Sequence, residues 1–126
     1  MILTFKERFI DSLLNGTKIH TIRADKYDRW KVGMKIQFWC GNPRNTQKQP
    51  YQFAEGIVTE IMPIWIYPER EGININYIYI LREINKLDLF AKNDGFRDWE
   101  EMKQFFPDYF EGKLIIWKQP ITKEQP

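Results

Sequence analysis

The sequence contains a single cysteine, Cys40, and a single histidine, His20. Cys40 has no partner for an internal disulfide, which favours a reducing compartment. A structural zinc site draws about four ligands, mostly from cysteine and histidine, and these two residues are too few. We therefore expect no disulfide, no metal and no other cofactor, and we expect the protein to act in the cytoplasm.

Long apolar runs and a strong charge bias are absent as well. No stretch approaches the roughly 18 uncharged apolar residues of a membrane-spanning helix, and residues 1–8 lack the basic and apolar regions of a signal peptide. We expect no membrane partner. Lys and Arg number 19 and Asp and Glu 17, so the net charge is only +2. Overall charge therefore does not indicate a nucleic-acid partner, and a local basic patch would have to do so.

Aromatic residues, by contrast, are plentiful, with five Trp, six Tyr and nine Phe. Most of them must fill the core because each buries a large area, and an exposed ring would offer a stacking surface for a nucleobase. A length of 126 residues and a hydrophobic content of 43% predict one globular domain. We place this domain at residues 1–120 and a polar tail at residues 121–126.

The order of predicted elements favours an α+β fold. Helical spacing of apolar residues predicts a first helix that ends before Gly16. The helices are predicted over residues 6–15, 88–92 and 98–106, and the strands over 18–23, 35–40, 51–61, 76–81 and 114–118. A bulge or bend is expected at Gly56. Residues 64–67, between two prolines, are expected to form an edge or a loop. Because the strands cluster instead of alternating with helices, we predict a small, mostly antiparallel β-barrel with flanking helices.

Side chains outside the main candidate site also lead to expectations. Trp30 and Val32 are expected to pack inward. Tyr77 and Tyr79 are expected to share a strand face and to lie in the core. Residues 41–50 are predicted to form a long hairpin loop, and its Arg44 and Lys48 become ligand-binding candidates if the loop covers a cleft.

Polar groups of different chemistry are concentrated in residues 15–23. The Arg23 guanidinium can donate paired hydrogen bonds to a phosphate or to the carbonyl edge of a ligand, and the Lys18 ammonium can act as a point charge. The alternative interpretation is an edge strand that charged residues keep soluble. In a regular strand Lys18 and Thr21 would point to opposite faces, so we expect an irregularity near residues 17–19 that lets them converge. His20 is a further ligand-binding candidate, although it should project away from its neighbour Thr21.

Residues 16–23, GTKIHTIR, resemble the G-x-K-x-x-T-x-R signature of the ASCH domain family, which is PUA-like. Residues 30–33, WKVG, and residues 91–96, AKNDGF, resemble further blocks of that family. The resemblance implies a pseudo-barrel with a basic cleft that binds RNA. Some small bacterial members are amidohydrolases that remove the acetyl group of N4-acetylcytidine with a lysine, a threonine and a glutamate. By position these are Lys18 and Thr21, and Asp94 stands in the place of the glutamate.

Two functions of different class therefore remain open. In the first, the domain binds RNA or a modified nucleoside in a cleft lined by Lys18, Thr21 and Arg23. In the second, it is an amidohydrolase with Thr21 as nucleophile and Lys18 as base, and Asp94 holds Lys18 or protonates the leaving amine. A third, more distant alternative is a protein-interaction domain in a regulatory complex.

Overall fold

The fold is built around one long strand, β4, with which several of the other strands pair. The computed structural model describes residues 1–118 and 120–122. The strands in this part of the chain are β1 Ile2–Phe5, β2 His20–Arg23, β3 Lys35–Cys40, β4 Tyr51–Tyr67, β5 Gly72–Ile75, β6 Tyr79–Leu81, β7 Phe110–Trp117 and β8 Ile121–Thr122. The helices are α1 Ile10–Leu14, α2 Ile84–Asn93 and α3 Trp99–Lys103, with 3-10 turns at Glu7–Phe9 and Thr46–Lys48. None of the helices in the described residues is long and apolar enough to cross a membrane.

The strands form one open, mostly antiparallel sheet in which β4 pairs with four partners. The first half of β4 pairs with β3 and β8, and its second half pairs with β5 and β7. β6 continues the sheet beyond β5, β2 pairs with β7, and β1 joins β3 in parallel. The predicted α+β class and the mostly antiparallel pairing are confirmed.

The sheet separates two hydrophobic cores. The first core joins β1, β3, the first half of β4 and Leu13 of α1, and the second joins the second half of β4, β5, α2 and α3. Because side chains of a strand alternate between faces, the neighbours Leu114 and Ile115 of β7 enter opposite cores. The ring of Phe9 packs against both. The two cores therefore meet at Phe9, which immediately precedes α1 and lines the candidate site.

The prediction for residues 64–67 is wrong, because they continue β4 and pair with both β5 and β7. Pro63 is tolerated because its carbonyl accepts from Asn76 N at 2.9 Å on the β5 side. The missing N–H of Pro63 points to the same side, so the proline removes no bond to β7. At Gly56, where a bulge or bend was predicted, the pairing is regular and joins Gly56 to Ile36. The register shifts lie at Phe38/Trp39 and at Val58/Glu60 instead.

Several other expectations are corrected by the packing. Val32 is 64% exposed, whereas Trp30 is buried as expected. Tyr77 and Tyr79 are 78% and 56% exposed, because the predicted strand over 76–81 begins only at Tyr79 and follows a turn. Asp98 is the N-cap of α3, and its side chain accepts from Glu101 N at 2.9 Å.

The ends of the chain carry two strands that were not predicted as such. β1 precedes the first helix and pairs with β3. Within the predicted polar tail, Ile121 and Thr122 form β8 and pair with β4. Residues 123–126 of that tail lie outside the described residues.

A substitution at Gly112 of β7 tests how closely β2 packs against β7. A Cβ at Gly112 would lie 2.5 Å from the backbone oxygen of Arg23 and 2.7 Å from the ring of Phe110. We predict that Gly112→Ala lowers the free energy of unfolding by about 1–3 kcal/mol, as overpacking usually does. Urea denaturation monitored by circular dichroism measures the change.

The matched control is Gly72→Ala in β5, where the nearest atoms to an added Cβ lie at 3.8 and 3.9 Å. This variant should be about as stable as the wild type, because the added Cβ would make only ordinary van der Waals contacts. Equal stability of the two variants would contradict the close β2–β7 packing.

Candidate functional site

A cleft of about 260 Å³ opens where the two cores meet. Six polar residues line it: Thr4, Lys6, Lys18, Thr21, Arg23 and Asp94. Phenylalanine side chains supply much of the remaining wall, namely Phe5, Phe9, Phe96, Phe105 and Phe106. The cleft thus brings together the candidate catalytic residues and Arg23 within an aromatic enclosure.

Lys18 reaches the cleft because it precedes the strand. The backbone leaves α1 at Asn15, and Lys18 N donates to Ser12 O at 2.8 Å. Ile19 N donates to Asn93 O at 2.9 Å, which ties this turn to the end of α2, and β2 begins only at His20. The predicted irregularity near residues 17–19 is therefore present, and it removes the strand alternation that would have separated Lys18 from Thr21.

The Lys18 ammonium group is almost fully enclosed. Its side chain is 3% exposed, and Nζ donates to His20 O at 2.8 Å and to the Asp94 backbone oxygen at 2.5 Å. The Asp94 carboxylate oxygen Oδ1 lies at 3.5 Å from Nζ. Burial lowers the pKa of Lys18 below its ordinary value, Asp94 opposes that shift, and the nearby Arg23 adds to it.

Asp94 is the residue on which Lys18 and His20 converge. It follows the last residue of α2, and its Oδ1 lies 2.9 Å from His20 Nδ1. His20 is 4% exposed and its ring stacks on Phe90 at 4.8 Å between centroids. With Asp94 ionised, Nδ1 must carry the hydrogen. His20 therefore contacts the carboxylate from outside the cleft, and the structure does not place it among the lining residues.

Gly95 lets Lys18 and Phe9 approach the end of α2. Its φ is +96°, a region that favours glycine, and an added Cβ would lie 2.8 Å from Phe9 Cδ1 and 2.9 Å from Lys18 Cδ. Asp94 thus supplies the carboxylate, and Gly95 leaves the space in which the Lys18 side chain reaches it.

Thr21 and Arg23 line the cleft together because they are two residues apart on β2. Arg23 Nε donates to Thr21 Oγ1 at 3.4 Å, and Nη2 donates to Thr4 O at 2.9 Å. The guanidinium lies 5.2 Å from the centroid of Phe5, a favourable cation–π arrangement. Burial lowers the pKa of Arg23, against the opposing effect of Asp94, and the group stays charged. Lys18 Nζ and Thr21 Oγ1 are not hydrogen-bonded to each other within the described chain.

Two of the predicted ligand-binding residues lie elsewhere. Arg44 and Lys48 are exposed on the loop between β3 and β4, and neither lines the cleft. Among the described residues, no three or more His, Cys, Asp or Glu side chains lie together in a way that could hold a metal ion.

The aromatic walls were not predicted from the sequence. They come from the end of β1, the turn before α1 and the segments that flank α3. Phe96 packs against Phe9 at 5.5 Å and against Phe105 at 4.8 Å. The one signal in the sequence is the phenylalanine found before residues 16–23 and around residues 91–96, and it does not distinguish a cleft wall from core.

The Lys18–Asp94 pair makes a prediction about stability. Asp94→Ala should lower the free energy of unfolding by about 3–5 kcal/mol, because it leaves a buried ammonium without its carboxylate. Lys18→Met combined with Asp94→Ala should recover a large part of that loss, since no unpaired charge remains. Urea denaturation of the wild type, both single variants and the double variant gives the coupling energy. Simple additivity of the two single variants would contradict a direct interaction.

No family model matches the chain, and the comparisons with curated proteins and with solved structures find no match either. The function is therefore inferred from the cleft and from the sequence motifs.

Proposed function

We propose that the cleft binds a nucleoside, free or within RNA, through its base. The observation that carries this proposal is that Lys18, Thr21 and Arg23 line one cleft with phenylalanine walls. A nucleobase has apolar faces and a polar edge. Aromatic rings suit its faces, and the charged donors and the hydroxyl suit the carbonyl and ring nitrogens of its edge.

The size of the cleft favours a small ligand. Its volume of about 260 Å³ is below the range of about 300–1,000 Å³ that is common for drug-sized ligands. A single base fits such a space, and the attached sugar would extend toward solvent. The cleft is therefore suited to one nucleoside unit at a time.

The sequence resemblance supports the same proposal. Lys18, Thr21 and Arg23 are the K, T and R positions of the G-x-K-x-x-T-x-R signature, and all three line the cleft. We propose on this basis that the domain is an ASCH-type domain and that its sheet corresponds to the PUA-like pseudo-barrel of that family. A nucleoside-binding cleft is what that membership implies.

Calorimetric titration with cytidine, uridine, adenosine, guanosine and N4-acetylcytidine tests the binding. We expect one of these nucleosides to bind with one-to-one stoichiometry. Arg23→Ala should weaken that binding by about tenfold or more, because a hydrogen bond to a charged group contributes about 1.5–3 kcal/mol.

The matched control for this titration is Lys86→Ala, which removes an exposed cation on α2 that does not line the cleft. It should bind as the wild type does. Absence of binding for every nucleoside at millimolar concentration would contradict the proposal.

A second function, hydrolysis of an N-acyl nucleoside, is favoured by the state of Lys18. Burial lowers the pKa of its ammonium, which makes the neutral amine more accessible. A neutral amine has two hydrogens, and it could keep the two short bonds to His20 O and Asp94 O. Its lone pair would then be available to accept a proton in the cleft that also contains the Thr21 hydroxyl.

The chemical steps would follow from these positions. Thr21 Oγ attacks the acetyl carbonyl carbon of N4-acetylcytidine and its proton passes to Lys18 Nζ. The C–N4 bond breaks as Lys18 returns that proton to N4, which leaves cytidine and acetyl-Thr21. Water then hydrolyses the ester and releases acetate. Arg23, which donates to Thr21 Oγ1 in the ligand-free state, would orient the hydroxyl and offset the developing negative charge.

Loss of the acetyl group from N4-acetylcytidine, followed by absorbance, tests this second function. Thr21→Ala should abolish turnover with little change in ligand affinity. The kcat/KM of the wild type should rise with pH to a plateau, because the neutral amine is the active form. The midpoint of this rise should lie below the ordinary lysine pKa of 10.5. No turnover at high enzyme concentration would contradict hydrolysis of this substrate and leave the binding proposal intact.

A further inference from the structure

The sheet has a second polar–aromatic surface, on the side opposite to α2 and α3. Along the second half of β4 and on β5, alternate residues are buried in the second core, namely Ile64, Ile66, Ile73 and Ile75. The residues between them, Trp65, Tyr67 and Asn74, point to the other face. In the described chain, neither core reaches this part of the face. We call it the outer face.

Two aromatic pairs lie on the outer face. Trp65 contacts Tyr77 with ring centroids 4.9 Å apart, and Tyr67 contacts Tyr109 at 5.4 Å. Tyr77 is 78% exposed and Tyr109 is 50% exposed. Trp65 and Tyr67 are two residues apart, so the pairs are separated by about 7 Å along β4. One extended nucleotide step can span that distance.

The backbone at Tyr77 holds its ring in place at a conformational cost. Asn76 and Tyr77 have φ values of +54° and +67°, in the left-handed region. Asparagine tolerates this region, but a large side chain such as tyrosine rarely adopts it, and glycine is the usual residue. Because the ring is exposed, core packing does not account for tyrosine at this position. A strained backbone that presents an exposed ring is typical of a binding surface.

Unpaired cations flank the two aromatic pairs. Arg70 and Arg82 line a groove of about 390 Å³ together with Tyr67 and Asn74. Lys26 lines a hollow of about 420 Å³ together with Trp65 and Tyr77. None of these three cations forms a salt bridge with a carboxylate of the described residues.

The carboxylates that share the hollow are already engaged. Asp28 pairs with Lys113 at 2.8 Å, and Asp25 accepts from the backbone N–H groups of Arg29 and Trp30. Glu111 accepts from the Tyr109 hydroxyl at 3.2 Å. Asp25 and Glu111 keep their negative charge when they accept from these neutral donors, so the hollow beside Trp65 is not positive. The positive charge that complements a phosphate backbone is that of Arg70 and Arg82, whose groove beside Tyr67 is lined by no carboxylate of the described residues.

We propose that the outer face binds single-stranded nucleic acid, with bases stacked on the Trp65–Tyr77 and Tyr67–Tyr109 pairs and phosphates near Arg70 and Arg82. Ala24 lines the hollow beside Trp65, and its neighbour Arg23 lines the cleft. The inference rests on the proposed function for its class of ligand, and it extends that function from one nucleoside to a strand.

Fluorescence anisotropy with a labelled ten-nucleotide single-stranded RNA of alternating uridine and cytidine tests the proposal. Tyr77→Gly suits the backbone of the turn and removes the ring, and it should weaken binding of the RNA by about fivefold to 150-fold. Arg82→Ala should reduce the slope of log affinity against log salt by about 0.7, as expected for the loss of one phosphate contact.

Leu89→Ser and Lys86→Ala are the matched controls, because both residues are exposed on α2, which packs on the opposite face of the sheet. These variants should bind the RNA as the wild type does. Circular dichroism of every variant confirms that the fold is retained.

Separate titration with free nucleosides distinguishes this proposal from the proposed function. If Tyr77→Gly and Arg82→Ala leave the RNA affinity unchanged while the protein still binds a nucleoside, the role of the outer face is overturned and the proposed function is not. RNA binding that depends on Tyr77 without any nucleoside binding would support the outer face and contradict the cleft. A dimer that Tyr77→Gly dissociates in sedimentation, with no change in RNA affinity, would overturn the proposal in favour of a protein interface.

Discussion

The buried contact between the Lys18 ammonium and Asp94 is the constraint on which the site depends. An ammonium removed from water must keep its hydrogen-bond partners, or the loss of solvation is not offset. Here the partners are the Asp94 carboxylate and the backbone oxygens of His20 and Asp94. The contact therefore fixes the turn after α1 against the end of α2. The helices α1 and α2 pack against different cores, so this polar network helps to set the position of one core relative to the other.

The same network gives the cleft its chemical character. His20 holds Asp94 from outside, and Gly95 leaves room for the Lys18 side chain. The Lys18 and Arg23 cations lie 5.7 and 5.2 Å from the centroid of Phe5, so the aromatic wall also stabilises the charges. The polar groups are thus positioned before any ligand arrives. The free-energy cost of ordering these groups on ligand binding would therefore be small, which is the general advantage of a preorganised site.

The residues that one short segment supplies could be predicted from the sequence, and those that depend on long-range packing could not. Lys18, Thr21 and Arg23 follow from one motif, and the turn at residues 17–19 follows from the incompatible spacing of Lys18 and Thr21 in a strand.

The role of His20 as a partner of Asp94 depends on a contact across 74 positions. The continuation of β4 past Pro63 depends on which side of the strand faces β7, and local sequence does not encode that. β1 was missed because its parallel partner is distant in the chain. The strand interpretation of residues 76–78 failed because Asn76 and Tyr77 adopt left-handed backbone angles.

The most direct measurement of the central contact is a ¹H–¹⁵N NMR spectrum that detects lysine ammonium groups at neutral pH. Exposed lysine ammonium protons exchange quickly with water, whereas a buried, hydrogen-bonded group is protected. The account predicts one protected ammonium signal that disappears in Lys18→Met and weakens in Asp94→Ala. A spectrum in which every lysine ammonium exchanges quickly would contradict the buried contact on which the site is built.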